Sequence, residues 1–157
     1  MSISLRTAEK SDANLIETIS DLAYKKFDLD KRGLKYEKDS TLNRILTFIE
    51  HPDYRVLVCI NKSKDIIGFV VAAVYPTLYS DSIKQIVELG MQSDPRLGKV
   101  LQSKIMLKLI GAIEKIARDE ELDLLAFSIC PEFDISSHLE HKGYQLSDKI
   151  FIKARRI

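Results

Sequence analysis

Apolar residues recur along the chain at two spacings, every second position and every third or fourth, and the switches between them predict an order of elements. Ile3 and Leu5 alternate with Ser4 and Arg6, the pattern of a short strand. Leu15, Ile16, Ile19, Leu22 and Ala23 follow at helical spacing, and Asp12 stands where an N-cap belongs. Leu42, Ile45, Leu46 and Ile49 share one face of a second helix with Ser40 as its cap. Its end falls at His51, because Pro52 disfavours helical geometry in the residue before it. Residues 25–39, between the two helices, carry dense charge of both signs around Gly33 and read as a solvated connection with a mobile tip.

Val56 to Ile60 and Ile66 to Val74 are rich in β-branched residues, and the polar run Asn61 to Asp65 is short enough for a hairpin loop. Ile83 to Met91 predicts a further strand, in which Gly90 marks a bulge or a close backbone approach. Ile105, Met106, Leu109, Ile110, Ile113, Ile116 and Ala117 form a stripe opposed by Lys104, Lys108, Lys115 and Arg118, which predicts a long amphipathic helix. Leu122 to Ile129 is nearly all apolar, as in a strand covered on both faces. A short helix from Asp134 to His141 ends at Gly143, and Tyr144 to Leu146 with Lys149 to Lys153 resembles a closing hairpin. The order predicts a single domain over residues 1–157, of mixed α/β (α+β) class, with helices covering a largely antiparallel sheet.

Charge narrows the functional classes. Lys and Arg total 24 against 23 Asp and Glu, a net charge of +1, so no global field favours nucleic acid or anionic lipid. No apolar run approaches the roughly 20 residues of a membrane span, and the polar N-terminal residues lack the apolar centre of an export signal, so a cytosolic protein is expected. Cys59 and Cys130 stand far apart without ligand-like neighbours and read as small buried hydrophobes. His138 and His141 are three residues apart with no third ligand nearby in the sequence, so no metal centre is expected.

Four stretches, in this order and spacing, resemble a known family. Val56-Leu57-Val58-Cys59 through Asp65-Ile66-Ile67-Gly68-Phe69-Val70 looks like its second and third strands, and Glu88-Leu89-Gly90-Met91 like its fourth. Arg96-Leu97-Gly98-Lys99-Val100-Leu101-Gln102-Ser103-Lys104 occupies the place of its pyrophosphate loop, and His138 to Tyr144 resembles its closing helix, glycine and aromatic. The chain thus resembles the GNAT superfamily of N-acetyltransferases over nearly its whole length.

The resemblance implies acetyl-CoA as cosubstrate and a small-molecule or peptide amine as acceptor, with a homodimer possible. Glu88 takes the place of the base that accepts the amine proton. Leu89, Gly90 and Met91 lie where a splayed strand seats the pantetheine arm, with an N–H at Gly90 or Met91 facing the oxyanion. Leu97, Gly98, Lys99, Val100, Leu101, Gln102 and Ser103 take the place of the pyrophosphate site, where a helix N-terminus offers unpaired amides to an anion. Two departures stand out. Neither register of the loop satisfies the family's glycine pattern, and Leu139 occupies the position of the tyrosine that protonates the thiolate, so that water, His138, Ser137 or another side chain takes that role or the thiolate leaves unassisted. These departures suit a second reading, a GNAT-fold binding or regulatory module without catalysis.

Overall fold

The computed structural model describes residues 2–128 and 135–146. Five strands form one sheet in the order of the chain: β1 (Ser4–Thr7), β2 (Tyr54–Ile60), β3 (Ile66–Thr77), β4 (Ser80–Ser93) and β5 (Leu124–Ala126). The first four pair antiparallel, and β5 joins β4 in parallel after a crossover through a helix. The helices are α1 (Ala13–Lys26), α2 (Lys38–Glu50), α3 (Lys99–Asp119) and the short α4 (Ser136–His141). This is the mixed, largely antiparallel architecture expected from the pattern of the chain.

Strand alternation divides the core into two layers. Val56, Val58, Phe69 and Val71 meet Ile16 and Ile19 of α1 and Ile45 of α2 on one face. Cys59, Val70, Ala72 and Ile86 meet Ile105, Leu109 and Ile113 of α3 on the other. Gly68 sets how closely α3 approaches the sheet. A Cβ there would lie 2.5 Å from Ile105 Cγ2 and 2.9 Å from the Gln92 carbonyl, so only a missing side chain admits the helix at this distance. Arg55 of β2 clamps the far end of α3 by a two-pronged bond to Glu120, at 2.7 Å for both prongs. Cys59 is wholly buried in the α3 layer, and burial pushes its thiol up to about 12.

The Asn61 side chain closes the β2–β3 loop on Asp65, and Gly143, at φ +91°, ends α4. Other expectations are corrected. Asp12 does not cap α1, because its carboxylate receives both Arg6 prongs at 2.6 and 2.8 Å and the Glu9 amide at 2.7 Å, closing the turn before the helix. Helix α2 begins at Lys38 rather than after Ser40, with Glu37 extended at its cap. The fifth strand is covered on one face only: Leu125 turns to α3, while Leu124 and Ala126 are exposed. The 25–39 connection is less uniformly solvated than its charge suggests. A short 3-10 turn spans Leu29–Arg32, and Tyr36 packs on Tyr24 with its hydroxyl donating to Glu17 at 2.9 Å. Ile129, Cys130, Asp134 and the second strand of the closing hairpin lie outside the described residues.

The glycines of this layer separate two effects. Gly68→Ala should cost about 1–3 kcal/mol in urea-unfolding stability through overpacking. Gly111→Ala, in mid-helix with no heavy atom within 4 Å of the new Cβ, should add about 0.5–1 kcal/mol through helix propensity. A neutral Gly68→Ala would show that α3 is not pressed against the sheet.

Candidate active site at the parting of two strands

Strand β4 carries one residue more than β3 can match. Val71 pairs with Gly90 and Ala72 with Glu88, leaving Leu89 as a bulge. On the other edge of β4, pairing with β5 runs from Gln85–Leu124 to Val87–Ala126 and stops. Glu88 is therefore the first β4 residue past the last paired position. Its carboxylate takes over the tie between the strands by accepting the Ser128 amide at 3.1 Å. Two residues from Ile86, it lies on the side of the sheet where Ile86 meets α3.

Glu88 is only 6% exposed, and that Ser128 amide is its one hydrogen-bond donor among the described residues. Burial disfavours the ionised form and pushes the carboxyl up to about 7, with the Ser128 bond opposing the shift. A carboxyl poised near neutrality can accept a proton and release it again. Beyond Val87 the β4 edge also presents backbone groups that β5 does not take among the described residues.

Because β4 and β5 run parallel, their pairing among the described residues ends toward the C-terminal end of both strands, and β4 leads through Ser93 into the loop before α3. The N-terminus of α3 thus stands at the same end of the sheet as the parting. Asp94 braces the loop: it is buried, accepts the Arg96 guanidinium at 2.6–3.1 Å and the Arg96 amide at 2.9 Å, and is held below the usual carboxylate range by that arginine. The Lys26 ammonium donates to the Pro95 carbonyl at 2.8 Å. Gly98, Lys99 and Val100 point outward, and their amides have no protein acceptor among the described residues. With α3 behind them, these three amides suit an anion such as a pyrophosphate.

The remaining loop residues divide by direction. Leu97 and Leu101 pack into the α3 layer. Gln102, expected at the cofactor, is 2% exposed, with its side-chain amide on the Leu97 carbonyl and its backbone amide on Gly98. It shapes the loop from inside and offers no group to a ligand. Ser103 bonds back to the Lys99 carbonyl at 3.1 Å. Val100 is 72% exposed and does not obstruct the parting, and a Cβ at Gly98 would meet nothing within 4 Å. Met91 packs against both the α3 layer and the smaller cluster of Ile110, Ile135 and Leu139. Leu139 is buried there and holds no proton to give. The Tyr144 hydroxyl is engaged by Glu114 at 3.0 Å, while Ser137 and His138 are exposed on α4.

No family model matches the sequence, and no curated protein matches it. Solved structures match the whole chain. A GNAT family acetyltransferase from Staphylococcus aureus superposes with a TM-score of 0.67 at 16% identity, covering 98% of each chain. The fold is that of the GNAT superfamily. A predicted acetyltransferase from Clostridium acetobutylicum, crystallised with acetyl-CoA, gives a TM-score of 0.66 at 12% identity over 97% of this chain and 96% of that one. A transcriptional regulator from Bacillus halodurans gives 0.74 at 15% identity over 97% and 99%. One GNAT fold thus carries neighbours named for catalysis and for regulation.

The sequence named Glu88 and Gly90 as candidates, and the structure adds three features that it did not mark. Ser128 acts through its backbone, and the Asp94–Arg96 fork forms only when the loop turns back. A cavity on the face of α1 and α2 is lined in part by Arg44 of α2. Ser20 and Thr41 from the flanking helices also line it.

The Glu88 burial has a sign that can be checked. A carboxyl whose pKa is higher in the folded state weakens folding as pH rises from its ordinary value of 4.5 through about 7, and the penalty is constant above that. Glu88→Gln removes the penalty. The variant should be more stable than the parent at about pH 8, with the gap closing below about pH 4. Urea midpoints that differ by the same amount at every pH would place the carboxyl in water.

Proposed function

We propose that the protein is an acetyl-CoA-dependent N-acetyltransferase that acts by direct attack of a neutral primary amine on the thioester. The observation that carries this reading is the buried Glu88 carboxyl at the parting of β4 and β5, raised to about 7 and beside an unpaired strand edge. The free amides of Gly98, Lys99 and Val100 hold the pyrophosphate, supported by the positive end of α3. The β5-side edge of Glu88 to Met91, which no described residue pairs, takes the pantetheine arm as a further strand would be taken, and an N–H at Gly90 or Met91 faces the charge developing on the thioester oxygen. As the N–C bond forms and the C–S bond breaks, Glu88 takes the amine proton. With Leu139 buried, the thiolate is protonated by water or by exposed His138 or Ser137. A thiol pKa near 8.5 makes it a tolerable leaving group without a strong acid.

The second reading, a GNAT-fold binding or regulatory module, draws on Leu139 and on the Arg96 charge being spent on Asp94. Calorimetry and turnover separate the two. The enzyme reading expects acetyl-CoA binding and acetylation of an amine panel, whereas binding without turnover supports the module. Glu88→Gln should lower kcat by about 10²–10⁴-fold and remove the rise of activity with an apparent pKa near 7, with acetyl-CoA affinity nearly unchanged. Turnover equal to the parent would remove Glu88 from the mechanism.

A further inference from the structure

The face of the sheet opposite α3 holds a cavity of about 190 Å³ between α1, α2 and the β4 bulge. Phe48, Phe69 and Val71 contribute apolar surface, and Gln92 and Arg44 contribute polar groups. Gly90 lines the cavity as well, and the Leu89 bulge turns it to the face opposite Glu88, so a molecule seated here has one end at the bulge. The volume sets a size class. A cavity of about 150 Å³ with an apolar lining takes a benzene ring, so this one suits a ring or a branched aliphatic group rather than a long chain.

Charge sets the second requirement. Arg44 is the one ionised side chain lining the cavity, and it makes no ion pair or hydrogen bond among the described residues. Among the described residues no carboxylate lines the cavity to receive a cationic substituent beyond the reacting amine. An amine arrives in water as an ammonium, which Arg44 repels unless the same molecule carries a compensating negative charge. A carboxylate meets the planar guanidinium with two parallel bonds, and the same positive charge favours loss of the ammonium proton, which attack requires.

We propose that the acceptor is a small amino acid with an aromatic or branched side chain, whose carboxylate is read by Arg44. Its apolar side chain rests on Phe48 and Phe69, and its amine stands at the Gly90 bulge, from which Glu88, on the α3 face of the same strand, takes the proton through an intervening water. This inference rests on the acetyltransferase reading for the reaction but not for the recognition of the carboxylate, and the two are measured separately.

Phenylalanine and phenethylamine share ring and amine and differ in the carboxylate. With acetyl-CoA, kcat/KM for phenylalanine should exceed that for phenethylamine at least tenfold, and Arg44→Gln should bring the ratio toward one, with partial recovery in Arg44→Lys. Phenylacetate, which cannot be acetylated, should bind the parent and bind Arg44→Gln at least tenfold more weakly by calorimetry, a readout that needs no turnover. Circular dichroism and acetyl-CoA affinity report whether the variant is folded. Absence of acetyl-CoA binding with phenylacetate still held by Arg44 would overturn the enzyme reading and keep the carboxylate site. Acetylation of phenethylamine as fast as phenylalanine, turnover of neither, or equal phenylacetate binding by parent and Arg44→Gln would overturn this proposal while leaving acetyl-CoA chemistry in place.

Discussion

One extra residue in β4 governs the site. Leu89 has no partner on β3, so the strand changes register between Glu88 and Gly90. On its other edge, β4 parts from β5 at the same level. A continuous ladder would satisfy every backbone group and leave nowhere for an extended ligand to pair. The bulge interrupts the ladder in mid-sheet, and a buried carboxyl stands at the interruption, joined to the segment after β5 through the Ser128 amide.

That carboxyl is an expense the fold sustains through its surroundings. Burying Glu88 without a cation opposes its ionisation, which is a cost in stability and an asset for proton transfer. Rigid elements hold the cost in place. Gly68 lets Ile105 press against the sheet, Arg55 clamps the far end of α3, and Asp94 fixes the loop between β4 and that helix. The inward turn of Gln102 belongs to the same bracing. The open helix terminus and the parted strands are consequently held at one end of the sheet by interactions that involve no ligand.

The two departures from the GNAT pattern have different weight. Leu139, where the resemblance would place a proton-donating tyrosine, is a core side chain packed against Ile110 and Ile135. The divergent loop trades glycines for side chains but keeps the free amides of Gly98, Lys99 and Val100, because backbone donors do not depend on residue type. Among the solved structures that share this fold, names from both catalysis and regulation occur at low identity. The fold is therefore a weaker guide to activity than the buried carboxyl.

The elements were legible in the chain because each is written in a local period. The α3 stripe, the β-branched runs of β2 and β3 and the Gly143 stop depend on residues a few positions apart. Glu88 and Gly90 were legible as candidates for the same reason, since they fall within a recognisable strand. Asp12 and Ser40 were misread as caps because several polar groups compete for a helix start, and Arg6 decides the first from six residues away. The one-sided burial of β5 depends on what covers each face, which its own residues do not encode. Nor do they encode the partnership of Glu88 with Ser128, 40 positions on, or the sharing of one cavity by Arg44 and Phe69. Periodicity carries information over a turn or a strand, whereas burial, pKa and the shape of a cavity are set by contacts between segments that meet only when the chain has folded.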